Sequence, residues 1–398
     1  MEQTKLVPKR RFKEFQNAHA WEQRKLGDVV EITMGQSPNS DNYTDNPNDH
    51  ILVQGNADIK NGYVTPRVWT TQVTKQAEKG DLILSVRAPV GDIGKTDYDV
   101  VLGRGVAAIK GNEFIFQSLG RMKQTGYWNK LSTGSTFESI NSNDIKDASI
   151  MIPGAEEQVK IGSFFKRLDS LITLHQRKLE KTKALKSAYL SEMFPAEGER
   201  VPKRRFAGFT QPWEQRKLGE IAGQTYGGGT PRTSVKEYWD GSIPWIQSSD
   251  LTEGKVSGVI PNKSITEEGL KNSATKLVPR NSIAIITRVG VGKLAFMPFQ
   301  YTTSQDFLSL SNLKTNPWFT AYASYKKLQS VLNSVQGTSI KGITKEELLS
   351  KSIFIPCNKE QAKIGEFFKQ LDNLITLHQR KLEKLQNLKK AYLNEMFV

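Results

Sequence analysis

A single cysteine, Cys357, in 398 residues excludes an internal disulfide, and four scattered histidines offer no cluster with the spacing of a zinc site. Cys357 therefore reads as a bystander rather than a nucleophile. No apolar run approaches the roughly 20 residues a membrane span requires, so a transmembrane helix and a membrane partner are not expected. Met1 to Arg11 is basic but has no apolar segment behind it, so it does not read as a secretory signal, and a cytoplasmic protein is expected. Acidic residues are the scarcer charge, 41 against 56 Lys and Arg, which leaves a formal net charge of +15. An excess of that sign attracts phosphate polyanions through counterion release, although it also serves solubility. With 37% hydrophobic and 24% charged residues the composition is that of a globular protein, and the length exceeds what one core fills, so at least two domains are expected.

What the chain does have is itself twice. Ile152 to Phe194 matches Ile355 to Phe397 at an offset of 203 with 12 differences in 43 positions, and both copies contain LITLHQRKLEK. Earlier in each half PKRRF, at Pro8 and Pro202, precedes WEQRKLG, at Trp21 and Trp213. Between these anchors the likeness is faint but colinear. Ile51, Asp58, Gly62 and Val64 match Ile243, Asp250, Gly254 and Val256 at an offset of 192; Arg87, Val90 and Gly91 match Arg288, Val291 and Gly292 at 201; Gly134, Ile140, Ile150 and Pro153 match Gly337, Ile343, Ile353 and Pro356 at 203. Each half reads as a linker, a divergent domain and a nearly invariant helix. The divergent domains are expected to share a fold and present different surfaces.

Periodicity gives the elements. DLILSV, GVAAI, IAIIT and SIFIP are short apolar, β-branched runs punctuated by Gly, Pro and Asn, which predicts strands within mixed α+β domains. From about Glu157 to Met193 the pattern changes to heptads, with Ile161, Leu168, His175 and Tyr189 on one seam position and Phe165, Ile172, Leu179 and Met193 on the other. The second copy repeats it with Ile364, Leu371, His378, Leu385 and Tyr392 against Phe368, Ile375, Leu382 and Met396. Each seam needs a partner, and the other copy supplies one. A helix of about 36 residues is roughly 54 Å long, while a linker of about 18 residues reaches at most roughly 60 Å, so a parallel pair would consume nearly all the linker and an antiparallel pair almost none. The expected fold is α+β: two pseudo-symmetric domains separated by two long helices in an antiparallel coiled coil, related by a pseudo-twofold axis. The partition is a basic segment 1–20, a domain 21–153, a helix 154–194, a linker 195–212, a domain 213–356 and a helix 357–398.

The duplicated order of WEQRKLG, LSVRAPVGDIGK with GRGVAAI, IPWIQSSDL with TSQDFLSL, GST or GTS before each closing IP, and the helices EEQVKIGSFFKRLDSLI and KEQAKIGEFFKQLDNLI resembles the specificity subunits of type I restriction-modification systems. The resemblance covers nearly the whole chain. It implies two target-recognition domains, each reading one half of a split double-stranded DNA sequence, and a helical spacer that binds two methyltransferase subunits, to which restriction subunits join. It also implies that the chain itself is not an enzyme and holds no cofactor. S-adenosylmethionine belongs to the methyltransferase subunits, and ATP and Mg to the restriction subunits.

Motifs that suggest chemistry fall short of it. Asn316, Pro317, Trp318 and Phe319 lack the second proline of an amino-methyltransferase motif, and no glycine-rich cofactor loop accompanies them. Gly94, Lys95 and Thr96 end like a phosphate-binding loop whose first glycine is replaced by Pro89, which supplies no backbone N–H. Gly227 to Gly229 reads as a turn that can approach a ligand closely. His175 and His378 read as coil residues rather than metal ligands. Arg87 and Arg288 each follow an apolar strand, where a guanidinium either pairs with guanine or phosphate or forms an internal salt bridge. Ser135 and Thr136, with Thr338 and Ser339, form a polar loop that suits phosphate or base edges, or a plain turn. With Lys95, Arg104, Arg232 and Lys293 these are the candidate DNA contacts. Lys and Arg on the helices, such as Arg177, Lys178, Lys181 and Lys183, suit partner docking or a solvated face. Ile161, Phe165, Leu168, Ile172 and Leu179, with Ile364, Phe368, Leu371, Ile375 and Leu382, are the candidate helix-pairing residues.

Overall fold

The computed structural model describes residues 6–131, 138–334 and 342–398. Residues 1–176 and 380–398 form one compact unit and 177–379 a second, so each long helix passes from one unit to the other. This grouping differs from the linear partition, in which each helix was a segment of its own.

In the first unit the runs read as strands are strands. Residues 31–34, 106–110, 82–85, 93–95, 63–64 and 59–60 form one sheet in that order, and the antiparallel ladder through Ile109, Leu82 and their neighbours buries the apolar alternation. A second sheet runs 43–44, 68–70, 50–53, 100–102 and 75–77, with 50–53 and 100–102 parallel. The second unit has reduced versions of both. Its four-stranded sheet runs 222–227, 307–313, 282–286 and 294–297; its three-stranded sheet runs 263–265, 239–246 and 302–303, the last pair parallel.

Each domain is closed by its own ends. The strand Glu22–Lys25 of WEQRKLG pairs antiparallel with Ser149–Ile152, and Glu214–Lys217 pairs identically with Ser352–Ile355. The preceding basic motif is a clasp. Arg11 donates from two nitrogens to the Glu157 carboxylate, at 2.7 and 2.6 Å, and also reaches the carbonyls of Ala18 and His19. Arg205 does the same with Glu360, at 2.6 and 2.7 Å, and with the Gln211 carbonyl. Both glutamates lie in the first turn of a long helix, where the helix dipole favours a carboxylate, and the hydrogen bonds raise the pKa of both guanidiniums. Part of the basic excess is thus spent inside the molecule rather than on a polyanion.

The long helices are Ala155–Glu192 and Asn358–Met396. Within the first unit Phe164 meets Tyr392 and Asp169 meets Lys389; within the second Lys186 meets Asp372 and Tyr189 meets Phe367. Partner numbers fall as helix numbers rise, so in both units the paired segments are antiparallel. Ile161, Phe165 and Leu168 join the core around Trp21, and Ile364, Phe368 and Leu371 join the core around Trp213. Leu179 and Leu382 are buried as well, whereas Ile172 and Ile375 are only part-buried. The helix ends supply a contact the heptads do not announce. Phe397 packs against Trp21, Phe114 and Phe165 in the first unit, and Phe194 against Trp213, Phe319 and Phe368 in the second.

Among the described residues no helix is long and apolar enough to cross a membrane, and no group of His, Cys, Asp and Glu is placed to hold a metal.

Candidate nucleic-acid interface

Four strand ends of the first unit converge on one cleft. Backbone hydrogen bonds run from Gln36 to the Leu102 carbonyl (2.9 Å), from Gly103 to Val53 (2.8 Å), from Val86 to Gly105 (2.9 Å) and from Ile140 to Val86 (3.0 Å). They place Ser37, Gln54, Asn56, Arg67, Arg87 and Arg104 around a space of about 370 Å³. The second unit repeats the scaffold bond for bond: Gly229 to Thr303 (2.8 Å), Ser304 to Ile246 (2.9 Å), Thr287 to Asp306 (2.7 Å) and Ile343 to Thr287 (2.7 Å). These bonds make Arg288 the counterpart of Arg87, Gln305 of Arg104, Gln247 of Gln54 and Thr230 of Ser37. They also pair Val53 with Ile246, one residue off the 192 frame that still relates Asp58 to Asp250, so the chain is one residue shorter in the second copy of that turn.

Two glycines are fixed by this scaffold. A Cβ on Gly35 would lie 2.1 Å from the Gly103 carbonyl oxygen, and one on Gly228 would lie 1.9 Å from that of Ser304. Gly228 and, with a Cβ that would lie 2.5 Å from the Thr275 nitrogen, Gly229 are therefore held by the protein's own backbone. Gly91 and Gly292 share a left-handed φ, at +88° and +96°, and turn the chain after Arg87 and Arg288.

Arg87, Arg104, Arg288 and Gln305 are all exposed. The guanidiniums of Arg87, Arg104 and Arg288 have no hydrogen-bond or ion-pair partner among the described residues. Arg67 is held by the Asp58 carboxylate at 3.0 Å, and that carboxylate also accepts the backbone N–H of Gln54 at 2.7 Å, which stiffens the cleft wall. The Thr230 hydroxyl donates to Gln305 Oε1 at 2.6 Å.

Of the residues expected to contact DNA, the cleft brings together Arg87 and Arg104. Lys95 lies elsewhere, part-buried in an ion pair with Glu113 and 4.3 Å from the centre of the Phe116 ring. Arg232 is exposed, three residues beyond Gly229, and Lys293 is part-buried in the turn after Arg288. Ser135, Thr136, Thr338 and Ser339 lie outside the described residues. Sequence reasoning passed over Gln54, Asn56, Arg67, Gln247, Thr230 and Gln305. Gln305 was within reach, since it stands at Arg104 plus the 201 offset.

The tempting motifs resolve as structure. Asn316 caps the helix Pro317–Ser334 by accepting the Phe319 N–H at 3.1 Å, with proline at the first helical position, and Phe319 is fully buried. Gly94 and Lys95 lie in a strand, and the Thr96 hydroxyl donates to the Tyr98 carbonyl at 2.6 Å.

A further feature lies where the helices meet the domains. Lys389 donates to Asp169 at 2.7 Å, and Gln117 Nε2 donates to the other carboxylate oxygen at 2.8 Å. In the second unit Lys186 pairs with Asp372 and the Gly254 carbonyl, while the Tyr322 hydroxyl donates to Asp372 at 2.7 Å. Burial, then the Asp372 charge, pushes the Tyr322 pKa far up, so the hydroxyl remains a donor.

A sequence model of the family described as type I restriction modification DNA specificity domain matches residues 19–184 and again 210–387. The putative type I restriction enzyme MjaX specificity subunit of Methanocaldococcus jannaschii is 32% identical over 179 residues, 43% of this chain and 42% of that protein. The EcoR124I/EcoR124II specificity subunit of Escherichia coli is 34% identical over 171 residues, 40% of this chain and 41% of that protein. The matches thus span about two fifths of these relatives' length. A solved S subunit of a type I restriction-modification system from M. genitalium shares the fold with a TM-score of 0.69 at 15% identity, covering 98% of this chain and 99% of that one.

Proposed function

The chain belongs to the family of type I restriction modification DNA specificity domains, and on that premise we propose that it is the DNA-reading subunit of a type I restriction-modification enzyme. Each recognition domain reads one half of a split target in double-stranded DNA through its cleft. The observation that carries this reading is the duplicated scaffold, which holds exposed, hydrogen-bonding side chains at matched positions over two otherwise divergent domains. One fold presented twice with different tips is what recognition of an asymmetric, two-part sequence requires.

In this reading the chain does no chemistry. Two methyltransferase subunits dock along the helical spacer and carry S-adenosylmethionine, and restriction subunits bring ATP and Mg. Sequencing modified bases in genomic DNA exposed to the complex tests the proposal: one motif split by a fixed number of unspecified bases and methylated on both strands is expected. Methylation at a continuous site would overturn it. The purified chain with S-adenosylmethionine and DNA should transfer no methyl group, and turnover that survives extensive purification would make the chain itself a methyltransferase and overturn this reading.

A further inference from the structure

We infer that one structural position sets a different base preference in each half-site: Arg104 selects a guanine in the half read by the first domain, and its counterpart Gln305 selects an adenine in the half read by the second. The inference rests on the clefts being the DNA-reading surfaces. Its basis is the comparison of two equivalent positions inside one molecule.

Both residues follow the parallel strand pair and are exposed, and their backbone surroundings match, with Gly103 bonded to Val53 as Ser304 is to Ile246. Arg87 and Arg288 are the same residue at matched positions, so they offer both halves the same set of donors. Positions 104 and 305 do not. A guanidinium carries only donors, and in the major groove guanine offers two adjacent acceptors, N7 and O6. Adenine puts a donor beside N7, against which an arginine fork places donor on donor. An amide carries one donor group and one acceptor, the match for adenine N7 and its amino group.

The hydroxyls beside the two residues fit this division. In the second domain the Thr230 hydroxyl donates to Gln305 Oε1 at 2.6 Å, which fixes the roll of the amide and leaves both Nε2 hydrogens and the second Oε1 lone pair unengaged by described residues. In the first domain the equivalent Ser37 hydroxyl accepts the backbone N–H of Arg104 at 3.0 Å, which anchors the chain and leaves the guanidinium unengaged by described residues.

The test uses the full chain with its methyltransferase subunits and genomic DNA from a methylation-deficient host. Mapping the wild-type complex should give a split motif with a G·C pair required in one half. Arg104→Gln should then change that single base pair toward A·T and leave the other half untouched, and Gln305→Arg should make the reverse change in the other half. The unaltered half reports that the variant chain is folded. On short duplexes carrying the mapped site, discrimination at the affected base pair should fall by roughly ten- to a hundredfold in Arg104→Gln. If Arg104→Gln weakens all duplexes equally and flattens the salt dependence, the arginine holds phosphate and the inference is overturned. The same holds if no G·C is required in either half. If the wild-type complex modifies no split site, the functional reading fails first, and the inference falls with it.

Discussion

The two Asp–Lys clasps use the same residues at the same helical positions in environments of different dryness. In the first unit Lys389 and Asp169 retain 22% and 28% of their side-chain exposure; in the second Lys186 and Asp372 retain 7% and 4%. The helices are nearly identical, so the difference comes from the divergent domains. The first contributes Gln117, whose amide reaches one carboxylate oxygen, and the second contributes Tyr322 together with the Gly254 carbonyl, which surround the pair. A repeated sequence therefore fixes which charges meet, and the diverged partner fixes what the meeting is worth.

The largest effect should come from breaking the drier clasp. Asp372→Ala leaves the Lys186 ammonium buried and the Tyr322 hydroxyl unpaired, at an expected cost of about 3–5 kcal/mol to the second unit. Asp169→Ala should cost the first unit about 1 kcal/mol, because solvent already screens that pair. Denaturant unfolding followed through each unit checks both, and equal losses would break the comparison. Replacing the drier pair together, as Lys186→Met with Asp372→Leu, sharpens it: the part of the loss that comes from the stranded charge should disappear, while the Tyr322 hydroxyl still lacks its acceptor.

Next comes the basic clasp, where two neighbouring arginines of one motif differ in the same way. Arg205→Ala strands Glu360, whose side chain is fully buried, and should cost about 3 kcal/mol. Arg204→Ala breaks an exposed pair with Glu192 and should leave the unfolding midpoint unchanged. A shift of similar size in both variants would mean that the motif acts through its net charge and not through the bidentate contact.

Much of this architecture was legible because periodicity and repetition are properties of the string. Strands such as 82–85 and 282–286, the two long helices and their antiparallel pairing all follow from apolar spacing, a fixed offset and the reach of a linker. Residues that act through a tertiary neighbour were less visible. Asp169 and Lys389, like Lys186 and Asp372, were available as polar identities at offset 203, but nothing in a heptad says that a charge will turn inward to meet its partner. Phe194 and Phe397 stand beyond the last seam residue, so their burial depends on a domain the helix pattern does not describe. Lys95 shows the opposite failure, a lysine at a suggestive place whose charge is taken by Glu113, on a different element. In the cleft, Arg87 and Arg104 were legible as basic residues beside strands, whereas Gln54 and Gln305 are polar residues of ordinary appearance until the backbone shows what they are equivalent to.

A small gain in stability tests whether the helix pairs are interchangeable along the seam. At this level the copies differ by Thr182 in the first helix and Leu385 in the second. Leu385 packs against the core of the first unit, whereas the Thr182 hydroxyl donates back to the Lys178 carbonyl at 2.7 Å, a local bond that competes with regular helix geometry. Thr182 is only part-buried, so Thr182→Leu should add modest apolar contact and remove a poor helix former. The sum should be a gain of about 0.5–1 kcal/mol in the second unit, read as a rise in its unfolding midpoint. The reciprocal Leu385→Thr should lower the midpoint of the first unit by more, because an already packed side chain is lost and its space is left unfilled. If Thr182→Leu destabilises instead, the second unit has no room where the first has a leucine. The two helix pairs would then differ in spacing at that level, with the identical seam residues on either side held in different contacts.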